Sequence, residues 1–274
     1  MEQTPSTPGQ VINPAVQEQN QIKEFFAAPS VLKKFQDLLG SRAQGFVTTI
    51  LQVTSSNNAL RACLPKSIFT AAAVAATMDL PVNQNLGFAW LVPFKGLAQF
   101  QIGYKGYVQL AMRTGQYLRL NVIEVYENQF TSWNELTEEL VADFSKDGTG
   151  KVVGYCSYFK LINGFEKTIY WTMKKVVDHA TKYSQSYKSG NASVWKDDFN
   201  GMAKKTVLKS ILSKWGILSI EMQKAIVVDQ AVINDAEGTD FTYIDSIEEE
   251  QQTPKKKADK AIEQAVDMLQ GKRK

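Results

Sequence analysis

The chain has 274 residues, 44% of them hydrophobic and 11% aromatic, and a formal net charge of +3. That is enough apolar material for a substantial folded core, yet no apolar run approaches the roughly 20 residues needed to span a bilayer. The opening MEQTPSTPGQ lacks the basic flank and apolar stretch of a signal peptide, and Cys63 and Cys156 match no metal or redox spacing. They read as small buried hydrophobes in a reducing compartment, so the expectation is a cytoplasmic protein with no membrane partner.

Charge is unevenly spread. No Asp or Glu falls between Leu80 and Ile123, where Lys95, Lys105, Arg113 and Arg119 lie, and from Lys151 to Gly190 seven lysines face only Glu166 and Asp178. Ala225 to Pro254 then carries eight carboxylates and no Lys or Arg. A basic centre followed by an acidic stretch fits a polyanion-binding domain with a solvated tail. A mixed surface with chance clustering fits as well.

Taken in chain order, residues 1–29 are rich in Gln, Pro, Thr and Asn and read as a flexible N-terminal arm with a short helix around Val16 to Phe26. Pro29-Ser30 opens a helix carrying Val31, Leu32, Phe35, Leu38 and Leu39, which Gly40 stops. A second helix covers Arg42 to Val53, and Pro65 opens a third with a small-residue face from Ile68 to Ala76. Leu86 to Phe94 reads as a strand, Lys95-Gly96 as a turn and Gln99 to Tyr104 as the returning strand. Lys105 to Thr114 has helical spacing with Gly115 as its stop, and Tyr117 to Tyr126 reads as another strand. Val152 to Ile162 and Phe165 to Trp171 alternate around Asn163-Gly164, the pair suited to a type I′ hairpin turn. Helices over 173–186, 194–214 and 220–235 follow, then an acidic linker and a short amphipathic helix with Ala261, Ile262, Ala265, Val266 and Leu269 on one face, together 236–274. Helices, then antiparallel strands, then helices indicate α+β: a small antiparallel sheet with hairpins packed against several helices. The core is placed at 30–235.

Catalytic raw material is scarce. His179 is the single histidine, beside Lys175 and Lys182 on a predicted helix, and it reads as an ordinary exposed side chain. Gly148-Thr149-Gly150-Lys151 lacks the rest of a Walker A loop. Asp197 and Asp198 fit the first turn of a helix, where carboxylates favour the positive end of the dipole. The reading is a binding protein, not an enzyme, with no cofactor and no metal.

Two segments carry more. In Gly103-Tyr104-Lys105-Gly106-Tyr107, extending to Arg113, glycines let a ligand approach the backbone and Tyr104 offers a stacking surface beside Lys105 and Arg113. Tyr107 reads as core. In the second segment, Trp195, Phe199, Met202, Ala203, Thr206 and Val207 form the core side of a helix. Lys205 and Lys209, four apart, project together with Lys204 to one side. Like charges at that spacing repel by a few tenths of a kcal/mol, a penalty that a nearby polyanion removes. A solvated lysine face is the alternative.

At these segments the chain resembles the RecT family of phage single-strand annealing proteins, of the Gram-positive prophage type. Three stretches carry the resemblance: Asn85-Leu86-Gly87-Phe88-Ala89-Trp90-Leu91-Val92-Pro93-Phe94, Gln101-Ile102-Gly103-Tyr104-Lys105-Gly106-Tyr107, and Met202-Ala203-Lys204-Lys205-Thr206-Val207-Leu208. The resemblance implies ATP-independent binding and annealing of complementary single strands in homologous recombination, inside a bacterial host cell. It also implies an oligomeric ring or helical filament with DNA in a basic groove, and an exonuclease or host single-strand-binding protein docking at the C-terminal region. The DNA-contacting set it implies is Lys105, Arg113, Lys204, Lys205 and Lys209, to which the stacking argument adds Tyr104. Lys182 and Lys188 join on neighbouring charge. The rival readings are a magnesium-dependent nuclease using Asp178, Asp197 or Asp198, and an oligomeric RNA- or DNA-binding scaffold.

Overall fold

The computed structural model describes residues 14–83, 85–190, 194–229, 231–233 and 241–242. The first half is a helical layer: α1 (Pro14–Ala27), α2 (Pro29–Leu39), a 3-10 turn (Gly40–Arg42), α3 (Ala43–Ser56), α4 (Asn58–Arg61) and α5 (Pro65–Thr77). Pro29 and Pro65 sit in the first helical turn, where their missing N–H leaves no bond unmade, and Ala28 and Leu64 before them are extended. The Asn57 side chain caps α4 by accepting the Leu60 N–H at 3.0 Å.

Residues 14–27, assigned from composition to the arm, are part of this layer. Ile22 and Phe26 are buried, Phe26 stacks on Phe35 at 6.2 Å, and Phe35 meets Phe69 edge-on at 5.5 Å. Two anchors four residues apart on one helix face are enough to dock an otherwise Gln-rich helix. Residues 1–13 and the 261–269 helix lie outside the described residues, as does all of the acidic linker except 241–242.

Helix α5 is buried from Ser67 to Ala76 apart from Phe69, and its alanines let it lie close against the first sheet. That sheet begins with the hairpin β1 (Ala89–Phe94) and β2 (Leu97–Ile102). Its turn residues Lys95 and Gly96 have φ of +48° and +78°, so the type I′ turn falls here. The chain then enters α6 (Tyr104–Arg113) and a second antiparallel sheet ordered β3 (Tyr117–Tyr126), β6 (Val152–Leu161), β7 (Glu166–Thr172).

The hairpin joining β6 and β7 falls at the expected residues but with a different turn. Gly164 N–H donates to Leu161 O at 3.1 Å, Leu161 N–H donates to Phe165 O at 2.8 Å, and only Gly164 has positive φ. This is a three-residue loop closed by a bulge at Gly164, not a two-residue I′ turn. A further hairpin, β4 (Phe130–Asn134) and β5 (Glu139–Ala142), was not expected from sequence. It folds over the outer face of the second sheet through Phe130 and Trp133 against Tyr170, at 5.4 and 5.8 Å.

On the inner face lie α7 (Met173–Tyr183) and α10 (Phe199–Trp215), joined through α8 (Gln185–Lys188) and α9 (Val194–Asp197), while α11 (Ile220–Val228) packs on α6, α10 and the first sheet. The helix expected over 194–214 breaks at Asp198, whose carboxylate accepts the Gly201 N–H at 2.9 Å and caps α10. A Cβ at Gly201 would collide with that carboxylate. Helix α10 lies at the centre, with Leu208, Ile211 and Leu212 in the large core and Met202, Ala203 and Val207 in a second cluster with Tyr155 and Val176. The last helix, expected to reach 235, stops at Val228. The chain turns and adds β8 (Ala231–Ile233) to β2, with Phe100 opposite Ala231, and β9 (Phe241–Thr242) to β8.

Cys63 and Cys156 are buried and free, and burial pushes their thiols up to about 11 and about 12. If α1 is core, Phe26→Ala removes a fully buried aromatic and should lower folding stability by about 3–5 kcal/mol, read from denaturant midpoints. An unchanged midpoint would return residues 14–27 to an undocked arm.

Candidate nucleic-acid interface

A cleft of about 410 Å³ opens between the N-terminal ends of α6 and α10, floored by β1 and β2. Trp90 and Tyr104 supply aromatic walls, Lys105 lies at the side, and Val194 and Met202 close the far wall. The glycines around it serve the protein's own packing. A Cβ on Gly103 would collide with Gly87 O and the Trp90 ring, and one on Gly106 with Phe88 O. They bring β1 and α6 together, where the sequence reading had them admit a ligand.

The sequence-selected cations divide by what they already hold. Lys105 is exposed in the first turn of α6, its stem beside Gly87, and it forms no ion pair among the described residues. Tyr104 is half-buried, with the Lys204 ammonium 5.5 Å from its ring centre. Lys204 is partly committed. Its Nζ lies 3.0 Å from Glu124 Oε1, and Glu124 also accepts from Tyr126 Oη at 2.7 Å. Burial works to raise the Glu124 pKa, but Tyr126 and Lys204 outweigh it and hold the carboxylate below its ordinary value.

Lys205 is only 4% exposed, and its Nζ sits 2.8 Å from Oδ1 of Asp229, itself 2% exposed. Lys209 reaches the other oxygen at 3.3 Å, Ile102 N–H donates at 3.1 Å and Tyr107 Oη at 3.4 Å. The two lysines do project together as their spacing requires, but the anion they meet is the protein's own. Burial pushes the Asp229 pKa up while the two ammonium groups pull it down and win, and burial lowers that of Lys205. Asp229 escaped the sequence reading although its signal was present: a lone acid inside the apolar run Ala225-Ile226-Val227-Val228 and Ala231-Val232.

Arg113 belongs elsewhere. It lies roughly 12 Å from Lys105 along the helix axis, donates to Met78 O at 2.6 Å and Asp79 O at 2.7 Å, and so caps the end of α5. Lys182 and Lys188 are exposed on α7 and α8, with Lys182 5.2 Å from the Tyr183 ring. His179 is half-buried, not exposed as expected, between Trp171 at 5.4 Å and Tyr183 at 4.5 Å. Burial and the charges of Lys209 and Lys182 push its pKa down to about 4, so it is neutral at pH 7. One cleft thus gathers Tyr104, Lys105 and the buried Lys205, with Lys204 beside the Tyr104 ring but outside the lining, and Lys209 and Lys182 flank His179. Arg113 stands apart, as structural support. Trp90 and Gln101 are additional cleft residues that charge-based reading passes over.

Among the described residues no three His, Cys, Asp or Glu side chains converge as a metal cage requires. Asp198, a ligand in the nuclease reading, is engaged as a helix cap.

Comparison with known proteins agrees with the resemblance seen in the sequence. The RecT family model matches residues 44–253. The chain is 44% identical over 259 residues to the uncharacterized protein YqaK of Bacillus subtilis (strain 168), covering 94% of this chain and 89% of that one. It is 28% identical over 207 residues to Protein RecT of Escherichia coli (strain K12), covering 70% of this chain and 75% of that one.

Asp229→Asn would leave Lys205 buried without its counter-charge and should destabilise by about 3–5 kcal/mol at pH 7. Adding Lys205→Met should recover part of that loss, because Lys209 can turn to solvent. The Asp229 pKa is lowered on folding, so its contribution is complete above the unfolded value near 3.9. It is lost as pH falls through the folded value. The stabilities of wild type and variant should therefore differ by a steady amount from neutrality down to about pH 4 and converge only as pH falls further, through the folded pKa. A pH-independent gap would show that the carboxylate does not carry the effect.

Proposed function

The chain belongs to the RecT family, and on that footing we propose that it binds single-stranded DNA and anneals complementary strands in homologous recombination. It does so without ATP, as an oligomeric ring or helical filament on the DNA. Family membership supports the annealing role. At the level of this chain's own residues, one observation carries the reading: an exposed ammonium, Lys105, with no ion pair among the described residues, beside the Trp90 and Tyr104 rings in a single cleft. Cation next to aromatic face is the combination that holds unpaired bases and their phosphates.

The chemistry needs no bond made or broken. Two single strands approach against the repulsion of their phosphates, and bound cations lower that barrier so that base pairing drives annealing. Backbone contact and stacking do not identify bases, so the readout is indifferent to sequence. The contact set consists of Tyr104, Lys105, Lys204 and Lys209, extended by Lys182 and Lys188. Lys205 and Arg113 drop out of it, because the first is spent on Asp229 and the second on the end of α5. A partner exonuclease and the host single-strand-binding protein are assigned to the C-terminal region beyond Thr242. The cut falls there because β9 pairs with β8.

Two labelled complementary oligonucleotides mixed with the protein in EDTA and without nucleotide should form duplex faster than they do alone. A strict nucleotide requirement, or degradation of the strands when Mg²⁺ is added, would overturn the proposal. In the same assay Lys105→Ala should lower the slope of log affinity against log salt by about one, with folding intact. An unchanged slope would remove Lys105 from the contact set.

A further inference from the structure

The floor of the cleft holds a feature that strand binding through phosphates leaves unused. Gln101 and Gln99 alternate onto the same face of β2, opposite Trp90 and Val92 on β1. Both are 6% exposed. The Gln101 side chain lines the cleft, and its Nε2 donates only to the sulfur of Met202, at 3.3 Å. Its Oε1 accepts no hydrogen bond among the described residues. Gln99 Nε2 lies behind it, outside the cleft lining, buried and with no acceptor among the described residues. The Gln101 carboxamide faces the cleft with its oxygen unengaged, and it can accept a hydrogen bond from a polar ligand.

We infer that this cleft receives a single nucleobase turned out of the bound strand. The inference rests on the single-strand-binding reading and adds to it a defined place for one base. The walls and the floor make complementary demands that a base meets. The Trp90 and Tyr104 rings offer flat apolar surface for its faces. A carboxamide presents both a donor and an acceptor, the pattern found along the edges of all four bases, and that explains how one floor accepts any of them. Lys105, outside at the mouth, is placed for the phosphate of the same nucleotide. The volume of about 410 Å³ lies in the range of small-molecule pockets, and an intact stack of bases would not enter it. A free phosphate or a sugar would satisfy the lysine but leave the aromatic walls unmatched. Holding one base per protomer out of the stack interrupts the single strand's own stacking at regular intervals while the remaining bases stay open to a partner strand.

The test uses the full chain and oligothymidylate in which thymine is replaced by 5-iodouracil, which crosslinks on irradiation to an aromatic ring stacked on it. Binding is followed in parallel by fluorescence polarisation of an end-labelled strand. The expected adduct, mapped by mass spectrometry, is on Trp90 or Tyr104. Gln101→Ala should cut its yield about tenfold while leaving the salt slope of binding as in wild type. Adducts confined to other aromatics such as Trp171 or Tyr183, or no adduct although polarisation reports a bound strand, would overturn the base site and leave strand binding standing. An adduct yield unchanged by Gln101→Ala would overturn the role of the floor amide. Absence of polarisation as well would sink the binding reading together with the pocket.

Discussion

A carboxylate taken out of water is tolerated only where opposite charge and hydrogen-bond donors surround it. Asp229 meets that condition with Lys205, Lys209, Tyr107 and the Ile102 amide, which come from α10, α6 and the end of β2. It follows directly on α11 and precedes β8, so its position also fixes where the last sheet strand is added. Attraction between the charges at close to 3 Å is offset by the desolvation of each, and the net gain in stability is small. The knot's main effect is on geometry. Once the carboxylate is placed, α6 and α10 cannot slide past each other without stranding a charge, and the cleft between their N-terminal ends keeps its shape.

That rigidity decides which cations remain for a ligand. Lys205, buried in the knot, and the arginine that caps α5 are structural, while Lys204 and the partly exposed Lys209 are half-committed to Glu124 and Asp229. Lys105 is left exposed at the rim of a cleft whose walls are aromatic and whose floor carries the Gln101 carboxamide. The positive field that an approaching strand meets is therefore set by a few free ammonium groups, Lys105 among them, with the buried ones supplying position. The aromatic pair His179 and Tyr183 beside Lys182 continues the same chemistry along α7, with a histidine held neutral.

Much of this was legible in the sequence. Proline and glycine punctuation placed α2, α5 and the end of α6, and alternation placed β1, β2, β3, β6 and β7. What failed has identifiable causes. The type I′ turn expected at Asn163-Gly164 falls instead at Lys95-Gly96, whose type composition left open, because φ is set by strand register, which sequence does not display. The β4–β5 hairpin was hidden because few apolar residues, Phe130, Trp133 and Leu140, anchor it among polar neighbours. Lys205 was assigned to the surface because α10 has no single solvent side: it packs against both the large core and the Tyr155 cluster. Helical periodicity cannot tell which lysine of such a helix turns inward. The answer lies 24 residues away, at Asp229, beyond the reach of any local pattern.

Covalent footprinting of lysines, by acetylation in the free protein and with saturating single-stranded DNA, probes both halves of the account at once. It predicts that Lys105 is modified in the free protein and shielded by the strand, while Lys205 stays unmodified in both states because its ammonium is buried on Asp229. Ready modification of Lys205 in the free protein and its protection by DNA would contradict the account, for it would make that lysine a surface phosphate ligand and leave the cleft without its anchor.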